Sequence, residues 1–136
     1  MQVQESIKKK MNTRQLDILW ASIGWRRRGS KKWREVLSKS RHVYSLWDGK
    51  QLVGFGRIVE DGIMCMFYDI AVHPERQGTG LGKMIMDNLI NQVKGKKYAS
   101  IGLFAWDKNP NNIPFYGKFG FEKSAGMELK RHMKPE

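Results

Sequence analysis

The sequence contains very little cysteine and no long apolar segment. Its 136 residues include one cysteine, Cys65, so no disulfide can form within the chain. A chain without disulfides is typical of a reducing compartment, and we expect a cytoplasmic protein. No apolar run approaches the roughly 20 residues that cross a bilayer. The N-terminal residues also lack the apolar stretch of a signal peptide, so we expect no membrane partner.

Acidic residues are also scarce. Asp and Glu number 13 against 25 Lys and Arg, which gives a formal net charge of +12. Such an excess attracts polyanions, and nucleic acid, anionic lipid and a phosphate-rich cofactor are all compatible with it. The densest basic runs lie at residues 8–10 and 26–32. The sequence lacks a recognition-helix pattern or an RNA-binding aromatic motif, which disfavours a nucleic-acid partner.

Hydrophobic periodicity predicts one α+β domain that spans residues 1–136. Apolar residues at helical spacing indicate helices over 13–23 (capped by Thr13), after a cap at Ser30, from Gly82 to Val93 and near 111–118. Strands are predicted over 3–7, 42–47, 51–60, 63–72 and 98–105, with strand, turn and strand from Phe121 onward. Asp48-Gly49 and Asp61-Gly62 are typical of tight hairpin turns between the strands that flank them. The run Ile63–Val72 is nearly all apolar, which predicts a strand buried on both faces. Strand, helix and strand after residue 63 predict a parallel crossover within a mixed sheet.

A glycine-rich turn joins this apolar strand to the helix that follows. Gly78, Gly80 and Gly82 lie at alternate positions in the sequence Val72-His-Pro-Glu-Arg-Gln-Gly-Thr-Gly-Leu-Gly82. Such a turn can aim several backbone N–H groups at one point, and the helix N-terminus adds partial positive charge. The pattern fits a pyrophosphate cradle, or a helix entry that needs small residues. It is not a P-loop, because no Lys-Ser or Lys-Thr pair follows the glycines.

This segment resembles the acetyl-CoA signature of the GNAT N-acetyltransferase superfamily. A second segment, Asn109-Pro-Asn-Asn-Ile-Pro-Phe-Tyr116-Gly-Lys-Phe-Gly-Phe121, resembles the family's Asn-x(6)-Tyr-x-x-x-Gly-Phe motif. The resemblance covers essentially the whole chain. It implies the GNAT fold: a mixed, mostly antiparallel sheet with splayed parallel central strands, flanked by about four helices.

The resemblance also implies a set of residues that bind acetyl-CoA. The backbone of Ile70, Ala71 and Val72 is expected to pair with the pantetheine arm. Backbone N–H groups are expected to hold the pyrophosphate, from Gln77, Gly78, Thr79, Gly80, Leu81, Gly82 and Lys83. Asn109 is expected to contact the pantetheine, and Tyr116 to lie beside the thioester sulfur. No metal is expected, because the three histidines show no metal-ligand spacing.

The implied reaction is direct attack of an amine on the acetyl thioester. Tyr116 is the candidate general acid for the leaving thiolate, and an aromatic packing residue is the alternative. The base is less defined, because Met66 and Phe104 occupy the positions at which some relatives have glutamate. Asp69 is a candidate base, and a water chain is at least as good an interpretation. Cys65 lies among apolar residues, where a thiol is usually inert.

The acceptor is expected to be a small-molecule or peptide amine. Trp25 and Asp69 are the candidate pocket residues, whereas Trp20 and Trp33 are expected in the core, and Arg26–Arg28 are candidates for gripping an anionic group on the acceptor. Two alternatives stay open: a basic nucleic-acid-binding module, and a CoA-binding regulator without catalysis. The sequence leaves open whether the chain forms a homodimer.

Overall fold

The chain divides into two compact units. The structure, a computed structural model, describes residues 2–105 and 109–129. The first unit is Met1–Phe104 and the second is Ala105–Glu136. That the whole chain forms one domain stays a prediction.

The first unit contains all five strands of the described residues. The elements, in chain order, are β1 (Gln4–Ser6), α1 (Thr13–Ser22), α2 (Ser30–Lys39), β2 (His42–Asp48), β3 (Gln51–Glu60), β4 (Met64–Val72), a 3₁₀ turn (Pro74–Arg76), α3 (Leu81–Val93) and β5 (Ser100–Leu103). The second unit contributes α4 (Asn112–Gly117). The predicted order of elements is therefore confirmed as far as α4.

The strands form one mixed sheet in the order β1-β2-β3-β4-β5. The pairs from β1 to β4 are antiparallel, and β4 pairs with β5 in parallel. Both hairpin turns that Asp-Gly pairs predict are present, and Gly49 and Gly62 have the positive φ that tight turns need. Because helices cover a mostly antiparallel sheet, the fold class is α+β, as predicted.

Helices α1 and α2 lie on one face of the sheet, and α3 lies on the other. Helices α1 and α2 bury a cluster of large side chains against one face, and Phe55 of β3 belongs to it. On β3, Phe55 alternates with Gly54 and Gly56, which face α3. A Cβ atom on Gly56 would lie 2.8 Å from Cγ2 of Ile85, so glycine is required for this close helix approach.

Several local predictions are wrong. Strand β4 is not buried on both faces: Cys65, Phe67 and Ala71 are buried, whereas Met64 is exposed. One face of β4 therefore lacks a full cover, and an apolar run alone cannot reveal this.

The predicted helix caps are each displaced by one residue. Asn12, and not Thr13, caps α1 by accepting a hydrogen bond from the Arg14 N–H. Ser30 is the first residue of α2, and Gly29 precedes it as the N-cap. The hydroxyl of Thr13 instead donates to that of Ser30 over 2.8 Å, which joins the beginnings of the two helices.

The C-terminal strands are absent from the described part of the tail. Residues 121–129 form no helix or strand, and the rest of the predicted segment lies outside the described residues. Alternating side chains favour a strand only where a neighbouring strand can hydrogen-bond to it. Strand β5 is also shorter than predicted, with Ser100–Leu103 in place of residues 98–105.

Candidate functional site

The glycine loop, residues 73–80, connects β4 to α3 through two residues with positive φ. Gly78 has φ 80° and Gly80 has φ 90°. Gly80 is the N-cap of α3 and adopts the left-handed conformation. A side chain is strained in this conformation, which explains glycine at both positions.

The loop ends in a row of unused backbone donors. The N–H groups of residues 78–83 donate to no acceptor in the part of the chain that the structure describes, and the next N–H, of Met84, bonds to Gly80 O. Consecutive free N–H groups at a helix N-terminus form a binding site for anions. Of the residues predicted to hold a pyrophosphate, Gly78–Lys83 have free N–H groups, whereas the N–H of Gln77 donates to the Pro74 carbonyl. Pyrophosphate binding by this row stays a prediction.

Side chains anchor the loop to the rest of the first unit. Arg76 forms an ion pair with Asp48 at 2.5 Å, and Thr79 donates its hydroxyl hydrogen to the Arg76 carbonyl. The Gln77 amide donates to the Val72 carbonyl over 3.3 Å. These contacts hold the loop that carries the free N–H groups in place.

Strand β4 has an unpaired edge immediately before the loop. The β4–β5 pairing ends at Phe67 opposite Leu103, although β4 continues to Val72. Among the described residues, the last five positions of β4 therefore have β3 on one side and no strand on the other. Ile70, Ala71 and Val72 lie on this free edge, which fits the predicted pairing with an extended pantetheine arm.

A β-bulge lies at the beginning of the free edge. Asp69 and Ile70 together lie opposite Gly56, because the register shifts between the pairs Phe55–Ala71 and Arg57–Tyr68. Asp69 has φ 58°, and it is the only non-glycine residue with positive φ in the described residues. A bulge whose first residue is left-handed usually has glycine there, so Asp69 must be held by its surroundings.

Two arginines hold the Asp69 carboxylate. Arg28 donates from Nη1 to Oδ2 over 2.7 Å and from Nη2 to Oδ1 over 2.9 Å. Arg57 donates from Nε to Oδ2 over 2.6 Å. We call Asp69, Arg28 and Arg57 the Asp69 cluster. It ties the loop between α1 and α2 to the bulge of β4.

The guanidinium of Arg28 is fixed by further contacts. It lies over the rings of Trp33 and Trp20, with 4.6 and 5.2 Å from Cζ to the ring centroids. Asp17 accepts hydrogen bonds from the Arg28 N–H at 2.9 Å and from Nε1 of Trp33 at 2.8 Å. Trp20 and Trp33 are buried, which confirms the prediction that they belong to the core. Arg28 is therefore not free to grip an anionic acceptor, contrary to the expectation.

The surroundings of Asp69 depress its basicity. Burial alone would raise the pKa of its carboxyl group, but the hydrogen bonds and charges of Arg28 and Arg57 outweigh burial and hold the pKa below its usual value. A carboxylate in this environment is a poor proton acceptor. The geometry therefore favours a structural role for Asp69 in the bulge over the role of a base.

The other predicted pocket residue, Trp25, is half-buried. Its ring packs edge-on against that of Trp20 with ring centroids 5.0 Å apart, and its backbone N–H donates to the Trp20 carbonyl. Trp25 therefore lies at the margin of the core cluster of the first unit. Its role in acceptor binding stays a prediction.

The second motif lies in the second unit. Tyr116 is on α4, half-buried, with its ring 5.2 Å from that of Phe115 and 6.4 Å from that of Phe121. Burial raises the pKa of its phenol. Asn109 accepts a hydrogen bond from the N–H of Asn111 over 3.0 Å, which forms a turn ahead of α4.

The thiol of Cys65 is buried. Burial raises the pKa of Cys65, which lowers its thiolate fraction and its nucleophilicity. No group of three His, Cys, Asp or Glu residues suited to a metal ion occurs in the described residues. No helix within these residues has the length and apolar character to cross a membrane.

Comparison with known proteins places the chain in a family. The family model for the acetyltransferase (GNAT) domain matches residues 24–133. The chain belongs to the GNAT acetyltransferase family, which uses acetyl-CoA.

Two curated relatives show how far the similarity extends. An uncharacterized N-acetyltransferase, ycf52, of Pyropia yezoensis is 37% identical over 123 residues, which are 87% of this chain and 69% of that protein. The chloroplastic serotonin N-acetyltransferase 2 of rice, Oryza sativa subsp. japonica, is 31% identical over 78% of this chain and 54% of its own length. The chain thus spans between about half and two thirds of these relatives.

A solved structure supports the fold. A probable acetyltransferase of unknown function from Staphylococcus aureus matches with a TM-score of 0.81. It covers 95% of this chain and 99% of its own, at 24% sequence identity. The predicted GNAT fold is therefore confirmed.

Sequence reasoning missed the partners of Asp69. Arg57 lies 12 residues from it in sequence and Arg28 lies 41 residues away. Arg28 belongs to a basic run, and Arg57 has no distinguishing neighbour. The only available signal was a carboxylate in the middle of an apolar strand, because such a group needs a buried cation.

Proposed function

We propose that this chain transfers an acetyl group from acetyl-CoA to a primary amine of a small molecule or peptide by direct attack in a ternary complex. The observation that carries the proposal is the row of free N–H groups from residue 78 to residue 83, next to the unpaired edge of β4. This combination offers a diphosphate site and an extended backbone edge in succession. Few ligands other than a CoA thioester need both.

The donor-binding assignment follows these features. The N–H groups of Gly78–Lys83 would hold the pyrophosphate, and the free edge at Ile70–Val72 would pair with the amides of the pantetheine arm. The exposed Lys83 side chain forms an ion pair with Asp87 on the surface of α3. Asn109 is proposed as a further pantetheine contact.

The proton chemistry is assigned to Tyr116. Acetyl-CoA, when bound, supplies an activated acetyl group with a thiol leaving group. A phenol with its ordinary pKa of about 10 is already protonated at neutral pH, and burial raises the pKa of Tyr116 further. Its hydroxyl therefore holds the proton that a general acid donates to the leaving sulfur. Its ring contacts with Phe115 and Phe121 restrain the direction of the hydroxyl.

No side-chain base is assigned. Asp69 is occupied by two arginines, and Met66 and Phe104 carry no proton acceptor. An alkylamine of pKa about 10 is neutral in a small fraction near neutral pH. Water that reaches backbone carbonyl groups can accept the proton released when the neutral amine attacks. The rate is then expected to rise with pH as the neutral amine becomes more abundant.

The acceptor class is proposed from charge and aromatic content. The chain carries a net charge of +12, which disfavours polycationic acceptors such as polyamines. Trp25 offers an aromatic surface at the margin of the core. The rice relative is named for serotonin, so arylalkylamines come first among the acceptors to test, followed by peptides with free amino termini.

The test is release of free thiol from acetyl-CoA in the presence of a panel of amines. The panel consists of arylalkylamines, amino sugars, polyamines and short peptides, each tested separately. A reaction without amine is the control for hydrolysis of acetyl-CoA. Amine-dependent thiol release, with a mass increase of one acetyl group on the amine, supports the proposal. Stabilisation by acetyl-CoA without transfer to any amine would favour the silent CoA-binding regulator.

A further inference from the structure

The positive charge of the chain is concentrated in one stretch of sequence. Residues 6–34 contain ten Lys or Arg residues and one acid, Asp17, so this stretch carries nine of the twelve excess positive charges. Asp17 is bound to backbone N–H groups and to Trp33, and Arg28 is bound to Asp69. The other cations in this stretch are exposed to solvent.

The fold brings the beginnings of the two N-terminal helices together. The hydroxyls of Thr13 and Ser30 are in contact, so Arg14 and Lys31, their neighbours in sequence, extend from the same end of the helix pair. Hydrogen bonds from the Gly29 N–H to Asp17 fix the preceding loop beside α1. We define the basic surface by eight exposed residues: Lys8, Lys9, Lys10, Arg14, Arg26, Arg27, Lys31 and Arg34.

None of these eight side chains forms an ion pair with another residue in the described ranges, 2–105 and 109–129. By contrast, Lys32 and Lys39 of α2 both form ion pairs with Glu35. Like charges placed together repel one another, and surface carboxylates normally separate them. Eight exposed cations without a carboxylate partner in one short stretch of the chain thus indicate an anionic partner.

The exposed chemistry favours a phosphate backbone over a lipid surface. The apolar sides of α1 and α2 point into the core, through Leu16, Leu19 and Trp33 among others. Ile7 and Ile18 are exposed, but two separate side chains do not make the apolar face with which a helix enters a membrane interface. Half of the cations are arginines, whose planar group matches phosphate in a bidentate manner.

We propose that the basic surface binds the phosphate backbone of nucleic acid, without reading base sequence. This site is separate from the glycine loop and does not depend on acetyl transfer. It revises the expectation that a nucleic-acid partner is disfavoured. That expectation relied on a missing recognition helix, and backbone contacts require none.

The test compares two triple substitutions that remove the same charge. One replaces Arg26, Arg27 and Lys31 with Gln. The matched control replaces Lys94, Lys96 and Lys97, which are exposed in the turn after α3 and are not among those eight residues. Binding of a labelled mixed-sequence RNA strand and a DNA duplex is measured by fluorescence anisotropy, between about 50 and 200 mM salt. Thermal unfolding followed by circular dichroism verifies that both variants are folded.

We expect the first variant to bind at least tenfold more weakly and the magnitude of its salt slope to fall by about 2 to 3, while the control changes less than threefold. Equal losses in the two variants would overturn the proposal, because binding would then report net charge alone. Absence of binding by the unmodified chain at about 150 mM salt would also overturn it. So would tighter binding to phosphatidylserine vesicles that the first variant loses, because the surface would then be a membrane contact.

Discussion

The glycine loop and the Asp69 cluster are separated by a few residues of β4, yet their polar groups are in opposite states. In the loop, the N–H groups of residues 78–83 have no acceptor among the described residues. In the cluster, both carboxylate oxygens of Asp69 accept hydrogen bonds from arginine, and the guanidinium of Arg28 is stacked on tryptophan. The loop has unused hydrogen-bond donors, whereas the carboxylate of the cluster is already hydrogen-bonded.

This difference teaches how to separate binding groups from structural groups near a site. A perturbed pKa close to a proposed cofactor site usually suggests catalysis. Here the perturbed carboxyl group has lost basicity because its partners are internal. The strained backbone at Asp69 has a structural cause as well, since it forms the bulge that begins the free edge of β4. We therefore propose ligand binding for the loop, a shaping role for the cluster and proton transfer for Tyr116.

The largest expected effect tests whether Tyr116, which belongs to neither the glycine loop nor the Asp69 cluster, donates the proton. Replacing Tyr116 with Phe removes the hydroxyl and keeps the ring that contacts Phe115 and Phe121. We expect turnover with the best amine to fall by about 10² to 10⁴, because one positioned acid is lost. The affinity for acetyl-CoA should change less than threefold. Steady-state kinetics and calorimetric titration measure the two quantities, and unchanged turnover would make Tyr116 a packing residue.

The second prediction tests whether the Asp69 cluster is structural. Asp69→Asn removes the charge, and asparagine tolerates the left-handed conformation. Breaking a buried ion pair costs about 3–5 kcal/mol. The side chains of Asp69, Arg57 and Arg28 keep exposures of 12%, 14% and 30%, so we expect a smaller loss of about 2–4 kcal/mol in the free energy of unfolding.

Urea denaturation measures this loss, and Asp87→Asn is the matched control. Asp87 forms an ion pair of 2.6 Å with Lys83, but the two side chains are 53% and 71% exposed. Surface pairs of this kind contribute little, so the control should lose a small fraction of what Asp69→Asn loses. Similar losses at the two positions would contradict the distinction between a buried cluster and a surface pair.

The third prediction tests whether the glycine loop is a binding region. Gly80→Glu places a negative side chain and a strained residue among the free N–H groups. We expect the affinity for acetyl-CoA to fall at least tenfold. At a ligand concentration of about 100 times Kd, the stabilisation of about 2.7 kcal/mol expected for the unmodified chain should then shrink correspondingly.

Gly95→Glu controls for the backbone strain. Gly95 follows the other end of α3 and has φ 78°, close to the φ of 90° at Gly80. A Cβ atom added to either glycine would meet no other atom within 4 Å. Both variants should therefore lose similar intrinsic stability, but only Gly80→Glu should lose the shift of the melting temperature on addition of acetyl-CoA. If both variants keep the shift, the anion site lies elsewhere.

The sequence predicted the loop better than the cluster for a physical reason. A turn with glycine at positive φ and a helix start are local features, so residues 72–82 contain all the information about the donors. The same holds for the Asp-Gly hairpins and for the stripe of Ile85 and Leu89 on α3. Even so, the cap of α1 was displaced by one residue, because Asn12 and Thr13 are both good capping residues.

The cluster depends on contacts between distant segments. The ion pair between Asp69 and Arg28 spans 41 residues, and the bulge that contains Asp69 arises from the pairing of β3 with β4. No local pattern specifies a left-handed aspartate. The predicted burial of β4 on both faces failed for the same reason, since the cover on each face comes from elements elsewhere in the chain.

The smallest expected effect concerns the decrease in the free energy of unfolding at acidic pH. An Asp carboxyl group has an ordinary pKa near 3.9 in an unfolded chain. Burial pushes the pKa of Asp69 upward in the folded protein, but Arg28 and Arg57 push it downward and prevail. Between the two pKa values the unfolded state binds more protons than the folded state. The stability that Asp69 contributes is therefore complete above the unfolded value and is lost as pH falls through the folded one.

The contribution of Asp69 is obtained by comparing the free energies of unfolding of the unmodified chain and Asp69→Asn at acidic pH. Backbone hydrogen bonds from Met64 and Ile63 also lower the pKa of Asp61, so the stability of both proteins falls in the same pH range. The difference between them cancels this shared part. Urea unfolding between about pH 7 and pH 3 should give a constant difference down to about pH 5 and a shrinking one below about pH 4. A difference that widens toward pH 3 would mean that Asp69 has a raised pKa, and it would return this carboxylate to the candidate bases.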